Sequence, residues 1–415
     1  MSNNLKKLVQ FGAGKIGRSF IGQLFSRAGY EVVFIDIDST LVDALNRERR
    51  YRVEIKDICP QTIWVENVRA VNAQDKARVA QEVAAADIIA TAVGPAALPH
   101  IYPTLAQGLI KRDHMGRGPV DIIICENLRD AARIFRSGLA QYLPKDFPLN
   151  SFVGLVETSI GKMVPIMSRE QQEQDPLLVF AESYNTLIVD KKGFRTGVPA
   201  VRGIEAKENM KAYVDRKAFI HNLGHAVTAY LGHLLHPEAT FIWEAIEDEH
   251  VYHAAYSAMW ESAQALIAEY PEEFNQGNQK EHIEDLLQRF GNRALGDTIH
   301  RVGRDLPRKL SRDDRLIGAL RLDMKHSIPA PYTTLGAAAA MLFRAKGPDG
   351  QLFPEDQRFC QEAYPKGIDY VLETVCRLDP QSPQDQPLID AIKKTHRFLS
   401  EQDLTKPDWI GRYTL

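Results

Sequence analysis

The stretch FGAGKIGRSFIG, residues 11–22, decides the fold of the first half of the chain. It follows a short apolar run typical of a buried strand, and it opens a segment with apolar residues at helical spacing. Its glycines Gly12, Gly14 and Gly17 have the GxGxxG spacing. Glycines so placed permit a tight turn and let the backbone approach a pyrophosphate, which then lies on the helix N-terminus. In this context the motif predicts a dinucleotide-binding turn.

An acidic residue follows the glycine-rich turn where a ribose contact is expected. The strand pattern of residues 32–35 ends at Asp36. A carboxylate there accepts hydrogen bonds from a ribose 2′-hydroxyl and repels a 2′-phosphate, so the predicted cofactor is NAD rather than NADP. Ala13 and Ile16, which lie between the glycines, are expected to contact the same cofactor.

Two further strand patterns end in residues that are expected to reach the cofactor. Residues 86–93 are followed by Gly94, and residues 120–125 are followed closely by Asn127. Ligands of open α/β sheets bind outside the carboxyl ends of the strands, so Val93, Gly94 and Asn127 are predicted cofactor contacts. For Asn127 a second interpretation stays open, because asparagine after a strand also suits a turn.

The bulk composition is that of an ordinary globular protein. The chain has 415 residues, 44% hydrophobic and 25% charged, with a formal net charge of −3. This length suffices for two domains, and the charge gives no basic field for nucleic acid or anionic membranes. The opening MSNNLKK lacks the apolar region of a secretory signal and no run reaches membrane-spanning length, so a cytoplasmic location is predicted. The four cysteines are widely spaced, and no metal is expected.

The order of strand and helix patterns predicts two domains. The stretch GFRTGVPAVRG, residues 193–203, has the glycine and proline density of a linker. Strand and helix patterns alternate before it, whereas helix patterns dominate after it, including a long one over 242–270. We therefore predict a Rossmann-type α/β domain over residues 1–195 and a mainly α-helical substrate domain over residues 196–415, with a cleft between them.

The segment DRKAFIHNLGHAVTAY, residues 215–230, has the pattern of a helix with two different faces, and we place the chemistry here. At about 100° per residue, Lys217, Asn222 and His225 share one arc, and the opposite face is apolar. The alternative is a solvated surface with no catalytic role, which such a pattern also fits.

A basic cluster in the second half suggests that the substrate carries a phosphate. Six cations crowd one short stretch: Arg301, Arg304, Arg308, Lys309, Arg312 and Arg315. Arginine forks match phosphate oxygens in a bidentate way, and among these residues we favour Arg304 and Arg308 as the substrate contacts. Because Asp305, Asp313 and Asp314 are interleaved, the alternative is a set of surface ion pairs.

Over most of its length the chain resembles the polyol-specific long-chain dehydrogenases/reductases. The resemblance rests on five segments: FGAGKIGRSFIG (11–22), TAVGP (91–95), CEN (125–127), RKAFIHNLGHAVTAYLG (216–232) and RVGRDLPRKLSRDDRLI (301–317). The fourth is the most specific, because a lysine, an asparagine and a histidine at this spacing are the catalytic signature of that family.

The resemblance implies a reaction and a role for each polar residue. Lys217 would act as general base or acid, Asn222 and Asn127 would hold the substrate oxygen as an amide pair, and His225 would orient the carbinol. It implies zinc-independent, NAD-dependent interconversion of a sugar alcohol or its phosphate with the corresponding ketose, most closely D-mannitol 1-phosphate with D-fructose 6-phosphate. It also suggests a monomer or a small homo-oligomer.

One segment, VETSIGKMVP at residues 156–165, departs from the family pattern. The family commonly carries Asp-Arg where this chain has Gly161 and Lys162, so a supporting acid is absent, and Glu157 is the candidate to replace it. The departure leaves the substrate open. An unphosphorylated polyol or a hexuronate such as fructuronate or tagaturonate is the alternative, and a dinucleotide-binding protein without turnover is a third possibility.

Overall fold

Strands that begin just before the glycine-rich stretch organise the N-terminal part of the protein. The computed structural model describes residues 5–57, 59–406 and 408–413, so the first four residues of the opening MSNNLKK lie outside the described part. The strands are β1 (Lys7–Phe11), β2 (Glu31–Asp36), β3 (Arg50–Ile55), β4 (Gln61–Glu66), β5 (Val68–Asn72), β6 (Ile88–Thr91), β7 (Val120–Ile124), β8 (Val153–Ile160), β9 (Val179–Ala181), β10 (Leu187–Asp190) and β11 (Ile204–Lys207).

Most of the strands form one sheet in the order β11-β10-β8-β7-β6-β1-β2-β5. From β8 to β5 all neighbours are parallel, whereas β10 pairs antiparallel with β8. Alternate residues of β1 enter two different cores: Leu8 is buried on one face of the sheet and Val9 on the other. A sheet covered on both faces needs continuous apolar strands, which is the pattern seen in the sequence. The predicted Rossmann-type α/β fold is confirmed.

A small second sheet has the order β4-β3-β9. Its β3–β4 hairpin is the β insertion that the alternating pattern of residues 51–70 predicts, but β5 leaves the insertion and pairs with β2 in the main sheet. The pattern of residues 177–190 predicts one extended segment, and this prediction is wrong. The segment contains two strands, because β9 pairs with β3 and β10 pairs with β8.

Helices connect the strands of the main sheet. The α-helices of this part are Gln23–Arg27, Ser39–Glu48, Lys76–Ala85, Leu98–His114, Ala131–Ala140, Leu149–Phe152 and Arg169–Gln174. A π-helical turn, Gly17–Gly22, precedes the first of them, and short 3₁₀ turns occur at Pro95–Ala97 and Lys191–Gly193.

The contacts divide the chain into two units, Met1–Val214 and Asp215–Leu415, a later division than the predicted 195/196. The physical reason is β11. It follows the glycine- and proline-rich stretch at residues 193–203, and it pairs with β10, so the segment after that stretch adds a strand to the N-terminal sheet.

The second unit is mainly α-helical, as predicted. The α-helix Met210–Arg216 leads into it. Its α-helices are Leu223–Leu235, Ile242–Ile246, Glu249–Glu269, Gln276–Phe290, Ile299–Gly303, Leu306–Lys309, Ile317–Lys325, Pro331–Leu342, Pro354–Arg358, Ile368–Tyr370, Gln386–Ser400 and Asp408–Tyr413. It also has π-helical turns at Lys217–Asn222, Phe359–Ala363 and Val371–Val375, and 3₁₀ turns at Arg293–Leu295 and Tyr364–Lys366. None of the helices described has the length and apolar character that crossing a bilayer demands.

The single long helix predicted over 242–270 is two helices. The second starts after Asp248, whose carboxylate accepts hydrogen bonds from the backbone N–H groups of His250 and Val251. An aspartate in this position satisfies donors that a continuous helix would bond internally, so it separates the two helices.

Candidate active site

The glycine-rich turn is held by backbone contacts that only glycine allows. The N–H of Gly12 donates to the carbonyl of Ile35 at 2.8 Å, and the φ of Gly12 is +89°. A Cβ on Gly17 would lie 2.0 Å from the carbonyl oxygen of Gly12, whereas a Cβ on Gly14 would meet nothing within 4 Å. The first and third glycines therefore close the turn, and the second keeps its outer side open to a ligand.

Asp36 lies directly against this turn. Its Oδ2 accepts a hydrogen bond of 2.7 Å from the N–H of Ala13, and its Oδ1 accepts one of 3.1 Å from the N–H of Asp38. The predicted acid at the end of β2 thus also fixes the conformation of the glycine-rich turn.

A cavity of about 430 Å³ opens at this edge of the sheet. Its lining includes Gly12, Gly14, Asp36 and Val93, together with Lys76, which the sequence patterns did not single out. This volume lies in the range of small-molecule and cofactor sites. Four of the predicted cofactor residues are therefore brought together around one cavity, while Ala13, Ile16, Gly17 and Gly94 belong to the adjoining backbone.

A buried arginine that the sequence analysis missed donates hydrogen bonds to the backbone of the glycine-rich turn. The guanidinium of Arg18 donates to the carbonyl of Ala13 at 2.6 Å, and to the carbonyls of Pro176 and Leu177 at 2.9 Å each. Burial lowers the pKa of Arg18 from its ordinary value. The residue follows directly on the third glycine, but nothing in the local pattern distinguishes it from a solvated arginine.

Glu126 holds the loop after β6. Its buried carboxylate accepts hydrogen bonds from the N–H of Val93 at 2.9 Å and from the N–H of Gly94 at 2.8 Å. Gly94 has a φ of +85°, which other residues adopt only with strain. Glu126 belongs to the CEN segment, but no role was predicted for it. Its position at the end of a strand is the signal that could have identified it.

Asn127 follows Glu126 as an exposed residue at the carboxyl end of β7. It belongs to the N-terminal unit, whereas Lys217, Asn222 and His225 belong to the helical unit. Its roles as a cofactor contact and as the amide partner of Asn222 therefore stay predictions.

The helix predicted over residues 215–230 forms, but its centre is not α-helical. Residues Lys217–Asn222 form a π-helical turn between the α-helices Met210–Arg216 and Leu223–Leu235. The uniform α-helical spacing assumed above is therefore wrong for this turn. Since π-helical hydrogen bonds join residues five apart, Lys217 and Asn222 come closer to one line along the axis than in an α-helix. The predicted apolar face is confirmed, because Phe219, Ile220, Leu223, Ala226 and Val227 are all buried.

Lys217 lies in surroundings that favour its neutral amine. Burial lowers the pKa of Lys217 to about 8, and the positive charges of Arg315 and Arg308 act in the same direction, against the opposing charge of Asp314. A lysine with a pKa near the working pH can accept or release a proton in a reaction, which a solvated lysine rarely does at neutral pH.

His225 is a neutral imidazole fixed between an aromatic ring and an acid. Its ring stacks on Phe290 with centroids 4.6 Å apart and planes 7° apart. Its Nε2 lies 3.4 Å from Oδ2 of Asp297, and this buried nitrogen has no hydrogen-bond partner among the described residues. Burial, and then the charge of Arg301, hold the pKa of His225 well below its ordinary 6.5. Phe290 and Asp297 were missed, because they are brought to His225 by helix packing and carry no local sequence signal.

Four of the five arginines in the basic stretch at residues 301–315 form ion pairs. Arg308 pairs with Asp305 and Asp314, and Arg301 pairs with Asp297. Arg312 pairs with Asp385, and Arg315 pairs with Asp314. Arg304 differs, because its guanidinium carbon lies 4.9 Å from the ring centroid of Phe353 and no acidic side chain of the described residues pairs with it. The alternative of ion pairs thus holds for Arg301, Arg308, Arg312 and Arg315.

Comparison with known proteins identifies the family. Residues 6–203 match the mannitol dehydrogenase Rossmann domain, and residues 209–394 match the mannitol dehydrogenase C-terminal domain. The chain belongs to the mannitol dehydrogenase family. A relative within it is mannitol-1-phosphate 5-dehydrogenase of Brevibacillus brevis, 38% identical over 396 residues, which cover 95% of this chain and 98% of that protein.

Two solved structures have a fold similar to that of this chain. Mannitol 2-dehydrogenase of Pseudomonas fluorescens, a ternary complex with NAD and D-mannitol, has a TM-score of 0.75 at 15% identity, covering 100% of this chain and 95% of that one. A substrate-free D-sorbitol dehydrogenase has a TM-score of 0.77 at 14% identity, covering 98% and 97% respectively. At these identities the likeness concerns the fold.

At the departure from the family pattern, the structure shows a structural role for Lys162. Lys162 is buried, and its ammonium group donates to the carbonyls of Glu182 and Tyr184 and to Oδ1 of Asn185, at 3.1, 2.6 and 3.1 Å. It therefore joins the segment that follows β8 to the segment between β9 and β10. Glu157 accepts a hydrogen bond of 2.8 Å from the N–H of Ala132, and its role as a replacement acid stays a prediction.

The described residues show no set of three or more His, Cys, Asp or Glu side chains arranged to hold a metal ion. The glycine-rich turn does fit a dinucleotide, because the open side of Gly14 would accept a pyrophosphate and the carboxylate of Asp36 lies at the end of β2 where a ribose is expected.

Proposed function

We propose that the protein is an NAD-dependent oxidoreductase that interconverts D-mannitol 1-phosphate and D-fructose 6-phosphate without a metal ion. The observation that carries the proposal is the half-buried Lys217 on the signature helix of the mannitol dehydrogenase family, with its pKa lowered to about 8. The 38% identity to a mannitol-1-phosphate 5-dehydrogenase over almost the whole chain supports this substrate. We further propose that the protein acts in the cytoplasm.

In the oxidation, Lys217 would accept the proton of the substrate hydroxyl as it becomes an alkoxide. Its pKa of about 8 leaves a useful fraction of neutral amine near neutral pH. Bound NAD would supply the hydride acceptor. The side-chain amides of Asn222 and Asn127 would donate hydrogen bonds to the developing alkoxide; one such donor typically contributes about 2.7–4 kcal/mol to transition-state stabilisation.

His225 would hydrogen-bond to the carbinol and orient it. The carboxylate of Asp297, 3.4 Å from Nε2, favours the tautomer that carries the proton on this nitrogen, and stacking on Phe290 fixes the ring plane. Because the imidazole is neutral, it adds no positive charge that would further lower the pKa of Lys217.

The test of the proposed function is an NADH absorbance assay with a panel of ketones. We expect rapid reduction of D-fructose 6-phosphate and slow reduction of D-fructose, fructuronate and tagaturonate. Equal turnover of fructose or a hexuronate would replace the proposed substrate with an unphosphorylated polyol or a sugar acid. Absence of turnover with every ketone, together with tight NADH binding, would favour a non-catalytic dinucleotide-binding protein.

The cofactor preference should depend on the charge of Asp36. Asp36→Asn removes the charge but keeps an oxygen for the hydrogen bond to Ala13, whereas Asp36→Ala removes both. We expect Asp36→Asn to raise kcat/KM with NADPH by about fivefold or more, since unit charges about 4 Å apart repel by about 1 kcal/mol even in water. Lys76, which lines the same cavity, would then face a 2′-phosphate without the competing acid. Wild-type efficiency that is already equal with NADH and NADPH would contradict this prediction.

Activity should survive chelation. After dialysis against EDTA we expect kcat and KM for fructose 6-phosphate reduction to stay at their starting values, because Lys217 and His225 perform the proton transfer and orientation that a zinc ion performs elsewhere. A loss of activity that added zinc restores would show that this prediction is wrong.

The substrate phosphate should be recognised by Arg304. We expect Arg304→Ala to lower kcat/KM for fructose 6-phosphate by about tenfold or more and to leave the slow reduction of fructose unchanged, since a charge-assisted hydrogen bond contributes about 1.5–3 kcal/mol. The matched control is Arg293→Ala, because Arg293 also lies over an aromatic ring, 4.3 Å from the centroid of Trp243. Equal effects on both substrates would remove Arg304 from phosphate recognition. Arg308 is the second candidate, although its ion pairs with Asp305 and Asp314 must rearrange first.

A further inference from the structure

A second cavity of about 400 Å³ lies in the N-terminal unit. Gln23 and Arg27, from the helix after the glycine-rich turn, form part of its lining, and Lys162, Ser183 and Asn185 form another part. It shares no lining residue with the cavity at the glycine-rich turn. Its size falls within the range of sites for small molecules.

A buried carboxamide in the lining lacks a hydrogen-bond partner. Gln23 is only 1% exposed, and its Oε1 has no partner among the described residues. Buried polar groups are nearly always hydrogen-bonded, because leaving one unpaired costs its full desolvation. An unpaired acceptor in the lining of a cavity therefore indicates a donor, such as a hydroxyl group, from a molecule that enters it.

The other polar groups of the cavity are arranged as neighbouring donors and acceptors. Oδ1 of Asn185 accepts from Lys162 at 3.1 Å, so the remaining hydrogen-bonding group of this side chain is its NH₂ donor. The hydroxyl of Ser183 donates to Asp57, which fixes a carboxylate at the same cavity. A lining that alternates in this way suits a molecule with several hydroxyl groups, because each hydroxyl both donates and accepts.

One cation of this cavity is available to an anion. The exposed guanidinium of Arg27 has no acidic partner among the described residues. Guanidinium groups bind phosphate or carboxylate oxygens in pairs.

We propose that this second cavity is a binding site for a small polyhydroxylated molecule that carries one anionic group, a phosphate or a carboxylate. Gln23, Asn185 and Asp57 would contact the hydroxyl groups, and Arg27 would contact the anion. The proposal does not depend on the function proposed for the first cavity or for Lys217.

The cavity contains its own reporter, because Cys59 lies in its lining and is exposed. The experiment measures the rate at which N-ethylmaleimide modifies Cys59, followed by peptide mass spectrometry on the full-length protein. The probes are D-fructose 6-phosphate, D-gluconate, D-mannitol and inorganic phosphate, and Cys360, which is partly buried, is the internal control. We expect at least one of the two anionic polyhydroxylated probes to slow modification of Cys59 but not of Cys360.

Two variants connect the protection to the proposed contacts. Arg27 is exposed, so Arg27→Ala should not disturb folding. We expect this variant to need about tenfold more of the anionic probe for the same slowing of Cys59 modification, which is the effect of one lost charge-assisted hydrogen bond. Gln23→Leu is expected to weaken protection as well, with circular dichroism checking its fold. Absence of protection by both anionic polyhydroxylated probes would overturn the proposal. Equal protection by inorganic phosphate or by D-mannitol would overturn it too, as would protection unchanged in both variants.

Discussion

Lys217→Ala should lower kcat for alcohol oxidation by about 10²–10⁴-fold, the usual contribution of a general acid–base group. NADH affinity, measured by fluorescence titration, should stay at the wild-type value, because Lys217 lies outside the glycine-rich turn and its cavity. Lys217→Arg is the matched variant. It keeps a positive charge but cannot give up its proton, so we expect it to be as inactive as the alanine variant. Either variant retaining most of the wild-type rate would remove Lys217 from the proton transfer.

The pH dependence of the reaction rate is a second test of Lys217 as the proton-transfer group. Because burial lowers the pKa of Lys217 to about 8, the neutral amine that accepts a proton becomes the major form above that pH. The rate of alcohol oxidation should therefore rise with pH through about 8 and then level off. Ketone reduction needs the ammonium form of Lys217, so the rate of ketone reduction should fall as the pH rises through the same interval. A profile for oxidation that is flat between pH 6 and 10, roughly two units on each side, would contradict the assignment.

Gly17→Ala and Gly14→Ala should separate the fold of the glycine-rich turn from its binding role. A Cβ on Gly17 would lie 2.0 Å from the carbonyl oxygen of Gly12, and neither backbone can move without opening the turn. We expect the Gly17 variant to lose about 3 kcal/mol or more of unfolding free energy, at the upper end of overpacking effects, and to lose NADH binding with it.

Gly14→Ala is the control with the opposite expectation. Since its Cβ would meet nothing within 4 Å, the denaturation midpoint should stay at the wild-type value. NADH binding should nevertheless weaken about tenfold or more, because the methyl group occupies the side from which a pyrophosphate approaches. Wild-type NADH affinity in the Gly14 variant would show that the pyrophosphate does not lie on this turn.

The sequence predicted the parts of the fold that local patterns determine. The order of strand, glycine turn, helix and strand around Gly12 was visible because turn chemistry and apolar spacing are local properties. The strands β9 and β11 were not predicted correctly, since short segments become strands through partners that are distant in the sequence. The break at Asp248 had a local signal, an acidic cap before Glu249, which the long apolar pattern outweighed.

The candidate site was predictable to a similar extent. The family signature indicated Lys217, Asn222 and His225, and the structure adds their surroundings: a half-buried lysine, a stacked imidazole and the neighbouring Asp297. These surroundings arise from helices packed against one another, so no spacing rule contains them. The π-helical turn could not be predicted from the sequence either. Packing rather than helix propensity decides between α-helical and π-helical hydrogen bonds.

That π-helical turn lets the segment carry an additional residue without rotating one half of the helix against the other. A turn closed between residues five apart holds one residue more than an α-helical turn. Deleting any one of residues 218–221 would therefore permit a regular α-helix and keep Lys217 nearly in phase with His225, because seven steps of about 100° end within about 20° of two full turns. A single-codon deletion at one of these positions should therefore keep Lys217 and His225 on one side of the helix, whereas a deletion between residues 222 and 225 would rotate His225 by about 100° relative to Lys217.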